Sequence, residues 1–455
     1  MDTIAAISTP LAIGGLSVIR ISGPDAISVA EKIFQPSSKN KSVIDMAGYT
    51  ACYGQVVSGG EVIDDGVLLI FRAPNSYTGE DVAEISVHGG TYISKLVLRA
   101  ALENGATLAD KGEFSKRAFV NGKLSLTQAE SVIDLIEASG KSLHRSALKM
   151  RGGELNSLVN SACEKIVSIS ASISAWVDYP EEDIPSLSDE NLTENLKDVL
   201  DLLDNLLKNY DLGKLLKDGI STAIVGKPNA GKSSLMNLLS RTNRSIVTSV
   251  AGTTRDIIEE SVKLDDDIIL RLCDTAGIRQ TDDTVESLGV ALSKETIQNS
   301  DLVLAVFDLS EPLAKEDEEI LSLLSPENTV AVFNKSDLET KLDVKKIQHI
   351  FPHYVEVSAK SGDNKEKLVL KIKEVISKNN FDYQSGLFIN ERQRNCVYNA
   401  RKHIENALSD FNLGVTLDAV GATLDLAADE LLVLTGQKAT DAVVNEVFAR
   451  FCVGK

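Results

Sequence analysis

Gly226-Lys227-Pro228-Asn229-Ala230-Gly231-Lys232-Ser233 is the stretch that decides how the middle of this chain folds. It has the spacing G-x-x-x-x-G-K-S, follows a strand-like run at 221–225 and opens a helical pattern at 234–239. Glycines at these positions let a loop wrap tightly, so that backbone N–H groups converge on phosphate oxygens at a helix N-terminus. Lys232 is expected to reach the β- and γ-phosphates, and the Ser233 hydroxyl to ligate Mg²⁺. Downstream, residues 268–273, 302–307, 329–333 and 354–357 are further short apolar runs, most of them followed by Gly, Asp or Asn and a helical pattern. That alternation implies parallel βα units between about 217 and 379.

The same region carries three more motifs in the order a guanine-nucleotide site requires. Asp274-Thr275-Ala276-Gly277 ends a strand, which places Asp274 to bind Mg²⁺ through water and the Gly277 amide near a γ-phosphate. Asn334-Lys335-Ser336-Asp337 ends another. A carboxylate there accepts from guanine N1–H and N2–H₂, a donor pair that adenine lacks. Ser358-Ala359-Lys360 stands where a final loop would back the base. The ordered set implies GTP. Gly252-Thr253-Thr254-Arg255-Asp256 lies between the first two motifs; Thr254 is either the second Mg²⁺ ligand or a threonine capping a turn. Many GTPases place a water-orienting glutamine after the D-x-x-G glycine, but here Ile278 holds that position and can neither donate nor accept a hydrogen bond. Another group must hold the water, and something must supply positive charge to the transition state. Asn229 stands open between two roles, a structural loop asparagine and a ligand for a monovalent cation beside the phosphates.

With 455 residues, 43% hydrophobic and 25% charged, the chain is a globular one of several domains. Residues 1–121 read as an α+β unit, with strands at 16–21 and 67–71 and helices at 25–34 and 91–103. From 126 to 210 the pattern is helical, and Leu192, Leu196, Val199, Leu200, Leu203, Leu206 and Leu207 make one apolar stripe. After 381 the chain is helical again. The expected architecture is therefore multidomain α/β + α. An N-terminal α+β domain (1–121) precedes a helical domain (122–216 and 380–455) that a Ras-like P-loop GTPase α/β domain (217–379) interrupts.

A net charge of −19 disfavours broad nucleic-acid binding by the chain alone. The five cysteines form no C-x-x-C pair, which speaks for reduced thiols. His349 and His353 flank Pro352 and read as surface histidines rather than a metal pair. The N-terminus has no signal-peptide pattern and no apolar run spans a bilayer, so a cytoplasmic location without membrane association is expected.

The flanks carry more specific words: Val18-Ile19-Arg20-Ile21-Ser22-Gly23, residues 74–81 (PNSYTGED), His88-Gly89-Gly90, Gly112-Glu113-Phe114-Ser115 and Phe451-Cys452-Val453-Gly454-Lys455. With Gly-Thr-Thr-Arg-Asp, these make the chain resemble, along essentially its whole length, the MnmE (TrmE) family of tRNA wobble-uridine modification GTPases. The resemblance implies an N-terminal domain that forms a homodimer and binds 5-formyl- or 5,10-methylene-tetrahydrofolate through Arg20, Glu84, Lys123 and Lys455. Such charges suit a folate, whose glutamate tail asks for cations and whose pterin edge asks for a carboxylate.

The resemblance also implies GTP contacts from Asn229, Ala230, Gly231, Lys232, Ser233 and Ser234, then from Thr248, Ser249, Val250, Ala251, Gly252, Thr253 and Thr254. Asp274, Thr275, Ala276, Gly277, Asn334, Lys335, Asp337, Ser358, Ala359 and Lys360 complete the set. K⁺ would be held by Asn229, Thr248, Val250 and Thr253, and catalysis carried by Glu286, Lys232 and Asn229, with Glu286 orienting the water. A flavoprotein resembling MnmG (GidA), in a heterotetramer or larger complex, would bring FAD and NADH, with tRNA as substrate. Cys452 either reacts or packs. Two rival readings are a ribosome-assembly GTPase without modification chemistry, and a folate-dependent aminomethyltransferase with a regulatory GTPase attached. The first usually carries a basic or G-X-X-G RNA-binding module, and none is found here.

Overall fold

The computed structural model describes residues 2–38, 42–178, 189–240, 260–264, 268–273, 297–377, 387 and 389–455. The chain begins β1 (Ile4–Ile7), β2 (Leu16–Ser22), α1 (Ala26–Ile33), β3 (Phe34–Pro36), β4 (Thr50–Ser58), β5 (Glu61–Phe71), β6 (Val82–His88), α2 (Thr91–Glu103), β7 (Thr107–Leu108) and α3 (Glu113–Val120). Four helices follow: α4 (Leu126–Glu137), α5 (Lys141–Arg151), α6 (Glu154–Asp178) and α7 (Asp189–Asp218). Next come β8 (Ile220–Val225), α8 (Lys232–Ser240), β9 (Glu260–Lys263), β10 (Ile269–Cys273), β11 (Leu302–Asp308), α9 (Lys315–Leu323), β12 (Thr329–Asn334), α10 (Val344–Gln348), β13 (Tyr354–Glu356) and α11 (Lys365–Ser377). Helices α12 (Glu391–Asn412), α13 (Leu417–Thr435) and α14 (Asp441–Ala449) end the chain. Two compact units result: Met1–Ile136, Leu148–Asp204 and Arg392–Lys455 form the first, and Glu137–Ala147 with Asn205–Glu391 the second.

In the first unit, seven strands form a sheet of order β3-β4-β5-β6-β2-β1-β7, antiparallel except where β1 meets β7. Strand residues Ile19, Ile21, Ile85 and Val87 alternate onto one face, where Val29 and Ile33 of α1 and Val97 and Ala101 of α2 bury them. Helix α2 has the expected bounds: the Ser94 hydroxyl donates to the Gly90 carbonyl in its first turn, and Asn104-Gly105 stops it. β5 is longer than the apolar run at 67–71. Its first residues, with Glu61, Asp64 and Asp65, pair with β4 as a hairpin arm, so main-chain pairing rather than an apolar pattern makes them a strand.

The helical part of this unit is laced by polar bonds between distant segments. Ser170 Oγ on α6 donates to Asp425 Oδ1 on α13 at 2.7 Å. Glu130 on α4 accepts from Arg392 Nε and Nη2 at 2.7 Å each and from Gln393 Nε2 at 2.6 Å, and all three bonds are largely shielded from water. The stripe expected on α7 is the buried one, with Leu192, Leu196, Val199 and Leu203 all enclosed.

The second unit holds a six-stranded sheet, β13-β12-β11-β8-β10-β9, parallel apart from β9 against β10. Strands β11 and β12 are buried at every residue, as parallel strands covered on both faces must be. One expectation fails here: His353 is buried, not on the surface, with Nδ1 3.6 Å from Glu374 Oε2 on α11. The fully buried Phe351 pulls the loop into the core ahead of β13 and takes His353 with it. His349, beyond the end of α10, is exposed. Cys52, Cys163 and Cys396 are buried in the thiol form, and Cys452 is exposed. No helix among the described residues is long and apolar enough to cross a membrane.

Candidate functional site

In the second unit, β8 has β10 on one side and β11 on the other, so the chain diverges at its carboxyl end. Such a switch point leaves a crevice that ligands occupy in open α/β sheets. The 226–231 loop leaves β8 there and feeds α8, whose first residue is Lys232. Lys232 Nζ donates to the carbonyls of Gly226 and Lys227 at 2.6 and 2.9 Å. Burial pushes this ammonium below the ordinary lysine range, which makes it a less hydrated and more demanding cation. Ser233 and Ser234 are exposed at the start of the helix, and Asn229 adopts a left-handed conformation at φ +63°.

The base-side motifs close on that loop. Asn334, 2% exposed, donates from Nδ2 to the Ala230 carbonyl at 2.8 Å and accepts at Oδ1 from the Ala359 N–H at 3.0 Å. One amide thus ties the phosphate loop to the Ser358-Ala359-Lys360 loop. Its nitrogen leaves no room at Gly231, where a Cβ would lie 2.0 Å from it and φ is +98°. Asp337 is exposed, and Ser358 Oγ donates to its Oδ1 at 2.7 Å. That hydrogen bond first, then a backbone N–H, hold its carboxyl below the usual range against the opposing effect of burial, and the charges of Lys360 and Lys335 add to the lowering. Asp337 Oδ2 has no such bond to Ser358, and the carboxylate borders a cleft of ≈ 470 Å³ with Gly231, Asn334, Lys335, Ala359 and Lys360. A fixed anionic acceptor bordering such a cleft suits a ligand that presents N–H donors.

Sequence reasoning missed two parts of this site. Asp308 pairs with Lys335, and Leu238 with Gly362 completes the cleft wall. Asp308 had a signal, an acid ending an apolar strand; the wall had none. Thr248, Ser249, Val250, Ala251, Gly252, Thr253, Thr254, Asp274, Thr275, Ala276, Gly277, Ile278 and Glu286 lie outside the described residues.

A second polar cluster lies in the first unit. Arg20 on β2 and Glu84 on β6 are register partners across antiparallel strands, and Arg20 Nε donates to Glu84 Oε1 at 2.8 Å. The guanidinium carbon sits 5.5 Å from the centre of the Phe114 ring and 5.8 Å from that of Tyr77, within cation–π reach. Arg20 Nη1 also donates to the Gly454 carbonyl at 3.4 Å. The tail is pinned by the Lys111–Val453 bridge, by the Ser8 hydroxyl donating to the same Gly454 carbonyl at 3.1 Å, and by the buried Phe451. Lys455 is pushed below the ordinary lysine range by burial, then by the charges of Arg20 and Arg151, with Cys452 acting the other way. A partly buried lysine held beside other cations in this way favours an anionic ligand. The structure therefore brings Arg20, Glu84 and Lys455 together. Lys123 is exposed in the turn after α3, where a Cβ added at Gly79 would lie 3.5 Å from its Cγ.

Comparison with known proteins covers both units. The family model described as GTP-binding protein TrmE N-terminus matches residues 3–123, and that described as MnmE helical domain matches 126–452. The tRNA modification GTPase MnmE of Thermoanaerobacter pseudethanolicus is 40% identical over 459 residues, covering 100% of this chain and 99% of that protein. The proteins of the same name from Carboxydothermus hydrogenoformans and Lactococcus lactis subsp. cremoris are 39% and 38% identical, each over 100% of this chain and over 99% and 98% of theirs. Among solved structures, Aquifex aeolicus Era bound to GDP and AlF₄⁻ is 27% identical over 40% of this chain and 66% of that one, with a TM-score of 0.27. Two domain models in sequence order and full-length identity of 40% lead to one conclusion: the chain belongs to the MnmE (TrmE) family of tRNA modification GTPases.

Proposed function

We propose that this GTP hydrolase of tRNA modification is K⁺-dependent and works with a flavin-dependent partner. Together they add a (carboxymethyl)aminomethyl group to C5 of the wobble uridine of certain tRNAs, with a tetrahydrofolate derivative as one-carbon donor. The observation that carries the nucleotide half is Asn334, which joins the phosphate loop to the base loop through two hydrogen bonds. Lys232 neutralises phosphate charge, and Asp337, oriented by Ser358, reads the guanine edge. Ser233, exposed at the head of α8, would hold Mg²⁺ with Thr254 and Asp274, and the ion would offset charge on the phosphates. Asn229, with Thr248, Val250 and Thr253, would hold K⁺, which supplies the positive charge an arginine finger brings elsewhere. Glu286 takes over the water-orienting duty that Ile278 cannot perform.

The folate half rests on the Arg20–Glu84–Gly454 cluster. Arg20 and Lys455 suit the glutamate tail, Glu84 orients Arg20 and suits a pterin edge, and Lys123 extends the cationic lining. The carbon comes from the folate, while FAD and NADH belong to the partner. The division into domains 1–121, 122–216 with 380–455, and 217–379, the homodimer, the assembly with an MnmG-like flavoprotein, and the cytoplasmic site of action belong to the same proposal.

Two measurements test it. Mass spectrometry of wobble nucleosides from cells lacking the protein should show loss of the C5 group; unaltered nucleosides would defeat the modification role. Exchanging Na⁺ for K⁺ should raise GTP turnover about tenfold or more, a part of what an arginine finger achieves. Equal rates in the two salts exclude the cation role.

A further inference from the structure

The turn that leaves β11 contains none of the nucleotide motifs, yet it is bonded to two of them. Asp308, the last residue of β11, is 3% exposed, and its Oδ2 lies 2.5 Å from Lys335 Nζ. Its other oxygen, Oδ1, accepts from the backbone N–H and the hydroxyl of Ser310 at 2.9 and 2.7 Å. Burial alone would push this carboxyl up; Lys335 and Ser310 outweigh it and hold the group below the usual carboxylate range. The carboxylate is thus ionised, oriented through both oxygens and directed at one ammonium.

Further along, Glu311 in the turn and Asp317 in the first turn of α9 approach Lys227 Nζ at 2.9 and 3.5 Å. Lys227 belongs to the phosphate loop, and its carbonyl is one of the two that receive Lys232 Nζ. The segment therefore grips the base-side lysine at its start and the phosphate loop at its end.

We infer that residues 308–317 form a positioning element for the nucleotide. Asp308 fixes Lys335 beside the base cleft, and Asp317 with Glu311 fixes Lys227 beneath Lys232. The inference rests on reading the cleft as a guanine site. A lysine chain loses much rotamer freedom when it is immobilised, and a buried carboxylate that immobilises it beforehand removes that cost from binding. Lys335 is already committed to a left-handed backbone at φ +65°, so its side chain is the part left to be placed. Asp308 touches no ligand on this account; it acts through Lys335.

The test uses the full chain. For Asp308→Asn, titration with fluorescent GDP and GTP analogues should show Kd rising about tenfold, the scale of one charge-assisted hydrogen bond. At saturating GTP, kcat should stay within about twofold, so the loss falls on KM. Asp308→Glu should recover part of the affinity. Combining Asp308→Asn with Lys335→Gln should cost no more than Lys335→Gln alone, because both remove one pair. Unchanged Kd in folded Asp308→Asn protein overturns the inference, and so does an additive loss in the double variant. Should Asp308→Asn not fold, Ser310→Ala removes the hydroxyl donor to Oδ1 while the backbone N–H of that residue keeps its bond; Kd should then rise about two- to threefold, the effect of a weaker neutral hydrogen bond, and an unchanged Kd again overturns the inference. Asp337→Asn separates the two levels. If it leaves GTP binding intact, the guanine reading itself falls. If it shifts preference to xanthosine nucleotides while Asp308→Asn binds as the parent does, only the positioning role falls.

Discussion

Gly231 has no space for a methyl group. A Cβ would meet Asn334 Nδ2 at 2.0 Å, and Asn334 cannot retreat because both ends of its amide are bonded. The residue also sits at φ +98°, a conformation that L side chains avoid. Gly231→Ala must either break the Asn334 bridge or deform the phosphate loop. Strain of about 1–3 kcal/mol at such a position translates into roughly five- to 150-fold weaker GTP binding. Titration with a fluorescent GDP analogue checks this, and affinity within twofold of the parent would mean the bridge does not set the loop.

The C-terminal tail is an element without regular secondary structure that is nevertheless held at several points. Phe451 packs on Phe448 with ring centres 5.2 Å apart, the Gly112 N–H donates to the Cys452 carbonyl at 3.4 Å, and Val453 bridges Lys111. Gly454 then passes so close to β1 that a Cβ would lie 2.4 Å from the Ile7 carbonyl oxygen, and its φ is +91°. Gly454→Ala should lift the last two residues, separating Lys455 from Arg20 while leaving the apolar anchor at Phe451 in place. Binding of 5-formyl-tetrahydrofolate, followed by calorimetry on the full chain, should weaken about tenfold or more, the usual scale for losing a charge-assisted contact. Unchanged binding would remove the tail from the folate site. The tail also holds Cys452 exposed, which excludes a buried packing role for that thiol.

At the scale of the whole molecule, the second unit interrupts the first in sequence, so helices of the first unit that lie far apart along the chain must find one another. Arg392 and Glu130 accomplish part of that meeting: they lie on either side of the interruption in sequence, and their bidentate pair is shared with Gln393. Glu130 is 6% exposed, so removing it strands a guanidinium in a poorly hydrated place. Glu130→Ala should destabilise the first unit by about 3–5 kcal/mol, the measured scale for breaking a buried pair from one side. Denaturant unfolding of the full chain checks it; a loss below about 1 kcal/mol would reclassify the pair as one of surface strength.

What could be read from the amino acids alone was whatever is written in neighbouring residues. Helix α2, the apolar strands of the nucleotide sheet, the stripe on α7 and the phosphate loop are all local patterns, because backbone periodicity and turn chemistry act over a few residues. Asp337 was legible for the same reason, as a carboxylate in a fixed position after a strand. The three-dimensional structure alone decided which distant groups meet. That Asn334 joins two loops, that Asp308 faces Lys335, that Arg20 and Glu84 are register partners, and that Gly454 lies against Ile7 are facts about residues 25 to 447 positions apart. His353 shows the limit most plainly, since its polarity pointed outward while the core's claim on Phe351 drew it in. Local chemistry chooses elements; burial and long-range hydrogen bonding choose partners, and no short window of sequence contains both members of such a pair.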